Sequence, residues 1–77
     1  MMLSIQEMEV NSKGRVVGYA QGAKAYISKL LAMGLTKGAE FTITRVAPLG
    51  DPVEITIRGF NLTLRKAEAD ILLVERS

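Results

Sequence analysis

Two short segments in the second half of the chain alternate apolar and polar residues, which is the spacing of β-strands that bury one face. Their apolar positions are Val53, Ile55, Ile57, Leu62 and Leu64. A two-residue turn at Gly59 and Phe60, with glycine supplying a positive φ, would join the segments into a hairpin. The cross-strand pairs of that hairpin would be Ile57 with Leu62, Thr56 with Thr63, Ile55 with Leu64 and Glu54 with Arg65.

Three further segments have the composition of strands. They are Lys13 to Ala20, Phe41 to Pro48, and Ile71 to Val74. The two prolines of the segment Pro48–Pro52 cannot donate hydrogen bonds to a sheet, so this segment is predicted to be a loop. The segment from Lys66 to Asp70 is predicted to be a single helical turn before the last strand.

Between Ala23 and Met33 the spacing of apolar residues changes to that of a helix. Apolar residues recur there at intervals of three and four, with polar residues on the other side. Gly34 follows the last of them, and a glycine in this place can take the left-handed conformation that ends many helices. Leu35 would then fold back onto Leu30 or Leu31.

The combination of five short strands, tight turns and one helix favours a closed or nearly closed sheet, because closure protects edges that a flat sheet exposes. The sequence therefore predicts a mainly β fold, a small SH3-like barrel with one inserted α-helix and a short helical turn. It contains no repeat, linker or low-complexity segment, and we expect residues 1–77 to form a single domain.

The chain has no histidine and no cysteine. This excludes Ser-His and Cys-His nucleophiles, thiolate zinc sites, and an iron site built from two histidines and a carboxylate. Only carboxylates could hold a metal, and the eight acidic residues are spread along the chain. The closest pair, Glu68 and Asp70, is interpreted as part of a solvated turn. We therefore expect no catalysis, no cofactor and no tightly bound metal.

Charge and hydropathy limit the expected cellular location of the protein and the classes of partner it could bind. The net charge is only +2, and the basic residues are not interleaved with the four aromatic residues, so we expect no nucleic-acid partner. No apolar run approaches the roughly 20 residues that cross a bilayer, and the N-terminus lacks the pattern of a signal peptide. We expect a cytoplasmic protein that does not insert into the membrane.

Two longer patterns resemble a known family. The segment from Leu30 to Phe41 combines a leucine-rich helix end, Met-Gly-Leu and a glycine-containing turn, and the segment from Arg45 to Val53 contains Ala-Pro-Leu-Gly-Asp-Pro. In this order and spacing, and together with Leu62 to Ala69 and the last strand, they resemble the FeoA (ferrous iron transport protein A) family. The resemblance implies an SH3-like adaptor without catalytic residues. Its implied partner is the ferrous iron permease FeoB, whose cytoplasmic region contains a GTP-binding domain.

The helix supplies candidate contact residues. On a helical wheel its apolar residues span an arc of about 160°, wider than the roughly 100° that a surface helix needs for packing. Leu30 and Ile27 are expected to face the barrel, while Tyr26 and Met33 on one edge and Leu31 on the other are expected to be partly exposed.

An exposed apolar edge favours binding, so we expect FeoB or a second copy of the protein to cover one of these edges together with the loop from Pro48 to Pro52. The predicted partner-binding residues are Tyr26, Leu31, Met33, Leu49 and Asp51. In the alternative interpretation all five serve only the fold.

Two other functions stay open at this stage. One is a free-standing regulatory domain like the C-terminal SH3-like domain of iron-dependent transcriptional repressors, although the chain lacks the helices of a helix-turn-helix. The other is a small nucleic-acid-binding barrel, for which the segment Lys13–Val17 is a faint indication.

Overall fold

The computed structural model describes residue 3, residues 5–21 and residues 24–77. Five antiparallel strands form one sheet in the order β4-β3-β2-β1-β5. The strands are β1 (Lys13–Tyr19), β2 (Glu40–Val46), β3 (Val53–Ile57), β4 (Phe60–Leu64) and β5 (Leu72–Arg76). Helix α1 (Lys24–Ala32) connects β1 to β2, the one-turn helix α2 (Lys66–Ala69) connects β4 to β5, and a 3₁₀ turn covers Ile5–Glu7. The predicted mainly β, SH3-like class is confirmed.

The core is formed mainly by strand residues, and α1 packs Leu30 into it. The alternation in β3 has the predicted effect, because Val53, Ile55 and Ile57 are buried while the residues between them are partly exposed. From α1 only Leu30 is fully buried. The interior is therefore supplied mainly by strand residues, and the helix contributes a narrow stripe to it.

The hairpin prediction is right about the faces and wrong about the register. The turn residues are Arg58 and Gly59, both with positive φ (51° and 82°), as a type I′ turn requires. Ile57 pairs with Phe60, and the other pairs are Thr56 with Asn61, Ile55 with Leu62, Glu54 with Thr63 and Val53 with Leu64. The shift relative to the predicted pairing is an even number of residues, so every side chain keeps its face.

Helix α1 ends as the sequence predicts. Gly34 has a φ of 93°. The N–H of Gly34 donates to the carbonyl of Leu31, and the N–H of Leu35 donates to the carbonyl of Leu30, each over 3.0 Å. These two bonds define a Schellman motif, and the buried side chains of Leu30 and Leu35 provide its apolar contact. The helix is described from Lys24, and the predicted first residue, Ala23, lies outside the described residues.

The other boundaries differ little from the predictions. Strand β4 begins at Phe60 rather than at Asn61, and β5 begins at Leu72 rather than at Ile71. The loop from Pro48 to Pro52 lies where it was predicted, between β2 and β3.

Candidate protein-contact surface

Helix α1 leaves apolar side chains at both edges of its buried stripe. Leu30 is buried and Ile27 is half-buried against the core, as expected. Tyr26 retains 43% of its surface and Leu31 retains 44%, so both edges are exposed. Met33 is partly buried and packs against the core, which leaves it less available than the other two. The expected partial exposure of the helix edges is thus confirmed, whereas a binding role for these residues stays a prediction.

The loop between β2 and β3 presents a third apolar side chain. Leu49 is 95% exposed at the tip of this loop. The loop is closed by two backbone hydrogen bonds, from the N–H of Gly50 to the carbonyl of Ala47 (2.7 Å) and from the N–H of Ala47 to the carbonyl of Pro52 (3.1 Å). Backbone hydrogen bonds therefore hold the turn that carries Leu49, and the Leu49 side chain does not pack against the core.

Asp51 has a structural role that the sequence did not reveal. Its Oδ1 accepts a hydrogen bond from the backbone N–H of Lys66 (2.8 Å), which is the first residue of α2. The first N–H groups of a helix have no partner within the helix, so this carboxylate satisfies one of them. The bond also fastens the loop that carries Leu49 to α2.

Glu68 fastens α2 to α1. Its Oε2 lies 2.5 Å from Nζ of Lys29, and its Oε1 accepts the backbone N–H of Arg65 over 2.9 Å. The Lys29 ammonium and the Arg65 N–H hold the pKa of this carboxyl below its ordinary value, against the opposing effect of burial. The interpretation of Glu68 and Asp70 as a solvated turn is wrong for Glu68, which is buried, while Asp70 is exposed.

The short helix α2 therefore anchors both elements that carry exposed apolar side chains. Leu31 lies two residues from Lys29, which contacts Glu68, and Leu49 lies two residues from Asp51, which contacts Lys66. We call these exposed apolar residues, Tyr26 and Leu31 on opposite edges of α1 and Leu49 on the loop, the contact surface. Its chemistry is that of apolar burial against another molecule.

No group of three or more carboxylates comes together within residues 3, 5–21 and 24–77. None of the helices described is long or apolar enough to span a bilayer.

Comparisons with known proteins point to one family. The family model of the FeoA domain matches residues 3–76. A FeoA-like protein from Clostridium acetobutylicum has a similar structure, with a TM-score of 0.86 and 39% sequence identity over 97% of this chain and 86% of that chain.

A second relative joins the domain to a transporter. A protein of Porphyromonas gingivalis, described as an Fe(2+) transport protein A/Fe(2+) transporter FeoB fusion, is 33% identical over 60 residues. The match covers 78% of this chain and 7% of the fusion protein, so the chain spans a small part of that relative. The structure is also similar to IdeR of T. acidophilum, with a TM-score of 0.88, 99% of this chain and 34% of that chain covered, and 18% identity. At that identity the likeness concerns the fold alone.

Proposed function

Since the chain belongs to the FeoA family, we propose that it is a non-catalytic accessory protein of ferrous iron uptake that binds the cytoplasmic, GTPase-containing region of the permease FeoB. The fusion relative supports this partner. A covalent link holds two domains at a high effective concentration, which favours their binding to each other. The proposal places the protein in the cytoplasm.

The observation that carries the proposal is the contact surface. Tyr26, Leu31 and Leu49 are large apolar side chains in water, and they sit on elements that Glu68 and Asp51 fasten to α2. Rigid apolar anchors lose little conformational entropy on binding and gain from leaving water, which is the usual profile of residues that dominate an interface.

The test is co-purification of charge variants with FeoB from membranes that contain both proteins. Leu31→Asp and Leu49→Asp place a carboxylate in the proposed interface, so each should reduce the recovered complex at least about tenfold. Neither should lower the thermal midpoint appreciably, because both side chains are already exposed.

Two further variants serve as controls. Ala25→Asp adds the same charge to an exposed position of α1, about 120° around the helix from Leu31, and should keep both stability and binding. Leu30→Asp buries a charge in the core and should unfold the protein. If the Leu31 and Leu49 variants both bind FeoB as well as the unmodified protein, the contact surface is not the docking site.

A second copy of the chain is the competing occupant of this surface. Sedimentation at several protein concentrations distinguishes the two, because self-association predicts a dimer that Leu31→Asp dissociates in the absence of FeoB. The proposal expects a monomer under these conditions.

A further inference from the structure

The two outer strands of the sheet differ in how their free edges are covered. On β5, Val74 exchanges backbone hydrogen bonds with Leu3, whose N–H donates over 2.6 Å and whose carbonyl accepts over 3.0 Å. Strand β4 has no such neighbour among the described residues. One edge of the sheet is therefore partly capped by the chain itself, and the other presents unpaired backbone groups.

The hairpin geometry shows which groups of β4 point outward. In a hairpin with a two-residue turn, the residues that flank the turn form a hydrogen-bonded pair, and hydrogen-bonded and non-hydrogen-bonded pairs then alternate along the strands. Ile57 and Phe60 flank the turn, so Phe60, Leu62 and Leu64 direct their backbone groups to β3. Asn61 and Thr63 direct theirs to the free edge, and both residues are exposed.

The next outward-directed residue is already paired. The N–H of Arg65 donates to Glu68, and its carbonyl accepts the N–H groups of Glu68 and Ala69 (2.9 and 2.8 Å). The available edge is thus limited to two donors and two acceptors, on Asn61 and Thr63. Phe60 precedes Asn61 and lies on the same face of β4 as the buried Leu64. Its side chain is 71% exposed, so it offers an apolar contact to an added strand.

The charges at the two ends of this edge indicate which kind of strand could bind there. Residues 58–66 contain three basic residues and no acidic residue. Arg58 and Arg65 have no carboxylate within ion-pair distance in the part of the chain that the structure describes, while Lys66 lies 3.4 Å from Asp70. An added strand with carboxylates at both ends would meet a cation at each end.

The same charges oppose a second copy of β4. Antiparallel pairing that aligns the two strands fully would put Leu62 opposite itself and Arg58 opposite Lys66 of the second copy. This brings like charges together at both ends of the pair, and like charges directly opposite each other destabilise a sheet. Charge thus disfavours self-pairing and favours an acidic strand.

We propose that the free edge of β4 binds an extended peptide segment with a β-forming centre and carboxylates at both ends, which adds to the sheet as a sixth strand. Backbone groups of Asn61 and Thr63 bond the segment, Phe60 packs against its centre, and Arg58 and Arg65 pair with its ends. This site is separate from the contact surface, so it does not depend on whether that surface binds FeoB.

The experiment titrates the full chain with a synthetic peptide that alternates valine and threonine and carries two glutamates at each end. Amide chemical shifts report binding, and the largest changes are expected at Asn61 and Thr63. A peptide of the same centre with lysines in place of the glutamates should bind at least about tenfold more weakly. Raising the salt concentration should weaken binding of the glutamate peptide, because both cations are exposed to screening.

Three variants test the mode of binding. Thr63→Pro removes only an outward N–H, which an edge strand tolerates, and should weaken binding about tenfold, whereas Thr63→Val keeps the backbone donor and the affinity. The double variant Arg58→Asn, Arg65→Gln removes both charges but keeps all backbone groups, and asparagine tolerates the positive φ of the turn. It should also weaken binding about tenfold.

Several outcomes would overturn the proposal. They are equal affinity for the two peptides, no binding of either, or unchanged binding in both Thr63→Pro and the double arginine variant. If Thr63→Pro fails to fold, the double variant alone decides. A dimer that the glutamate peptide leaves intact and Thr63→Pro dissociates would assign the edge to a second copy instead.

Discussion

Lys29 and Glu68 connect the two helices through one ion pair, with 2.5 Å between Nζ and Oε2. The lysine is largely exposed and the glutamate is buried. Burying a charged carboxylate without a partner costs free energy, and the ammonium of Lys29 offsets this cost. Since the same glutamate accepts the N–H of Arg65, one carboxylate orders the position of α1, the start of α2 and the end of β4.

This pair makes stability depend on pH in the acidic range. The ammonium of Lys29 and the N–H of Arg65 lower the pKa of Glu68, so the folded state prefers the carboxylate more strongly than the unfolded state does. The resulting stability is complete above the ordinary value of 4.5 and is lost as pH falls through the lowered pKa. Glu68→Gln should cost about 1 kcal/mol in the free energy of unfolding at pH 7, and this cost should shrink as the pH falls through the lowered pKa of Glu68.

Urea unfolding at a series of pH values measures this difference. The matched variant Lys29→Met removes the cation and should move the acid loss of stability toward higher pH, since only the Arg65 N–H then holds the charge of Glu68. A constant stability gap between Glu68→Gln and the unmodified protein over the whole range would contradict the assignment.

The left-handed residue that ends α1 provides a second prediction. Gly34→Ala should destabilise the protein by about 1 kcal/mol, because a side chain at a φ of 93° is strained even though the space around it is open. Gly18→Ala is the control, since its Cβ would lie 3.8 Å from Leu73 in ordinary contact and its φ is not left-handed. Thermal unfolding should show a drop of roughly 4–8 °C for the first variant and little change for the second. Equal midpoints would mean that Gly34 is not needed as a helix cap.

Periodic patterns made the local structure predictable. The alternation around Ile55 identified which face of β3 is buried, and the helical spacing around Leu30 identified Tyr26 and Leu31 as exposed edges. Both follow from the period of the backbone, which acts over a few residues and leaves a visible trace in the sequence.

The strand register and the tertiary contacts were harder to predict from the sequence. Alternation has a period of two, so it cannot distinguish pairings that differ by an even shift, and a positive φ at Arg58 is uncommon for a residue other than glycine. The bonds from Asp51 to Lys66 and from Glu68 to Lys29 join residues far apart in sequence. A carboxylate in a loop has the same appearance in the sequence whether it caps a distant helix or points into water.

The hairpin turn offers a third prediction, with opposite signs at its two positions. Arg58→Asn should stabilise the protein by about 0.5 kcal/mol, because asparagine tolerates the left-handed region and Asn-Gly is the preferred type I′ turn. Gly59→Val should destabilise it by about 2 kcal/mol, since a β-branched residue is strained at a φ of 82°. Chemical denaturation measures both. If Arg58→Asn destabilised and Gly59→Val did not, the turn would be misplaced.

A fourth prediction separates two roles of Asp51. As a cap, it needs only an oxygen that accepts the Lys66 N–H, so Asp51→Asn should keep nearly full stability while Asp51→Ala should lose about 1 kcal/mol. As a charged contact to FeoB, it needs the carboxylate, so Asp51→Asn should then bind FeoB more weakly at unchanged stability. We expect the first pattern, in which Asp51→Asn keeps both properties and Asp51→Ala weakens binding because the loop that carries Leu49 is no longer fastened to α2. Thermal unfolding and co-purification of the same samples give both readouts, and full binding by Asp51→Ala would show that FeoB does not require a fixed loop.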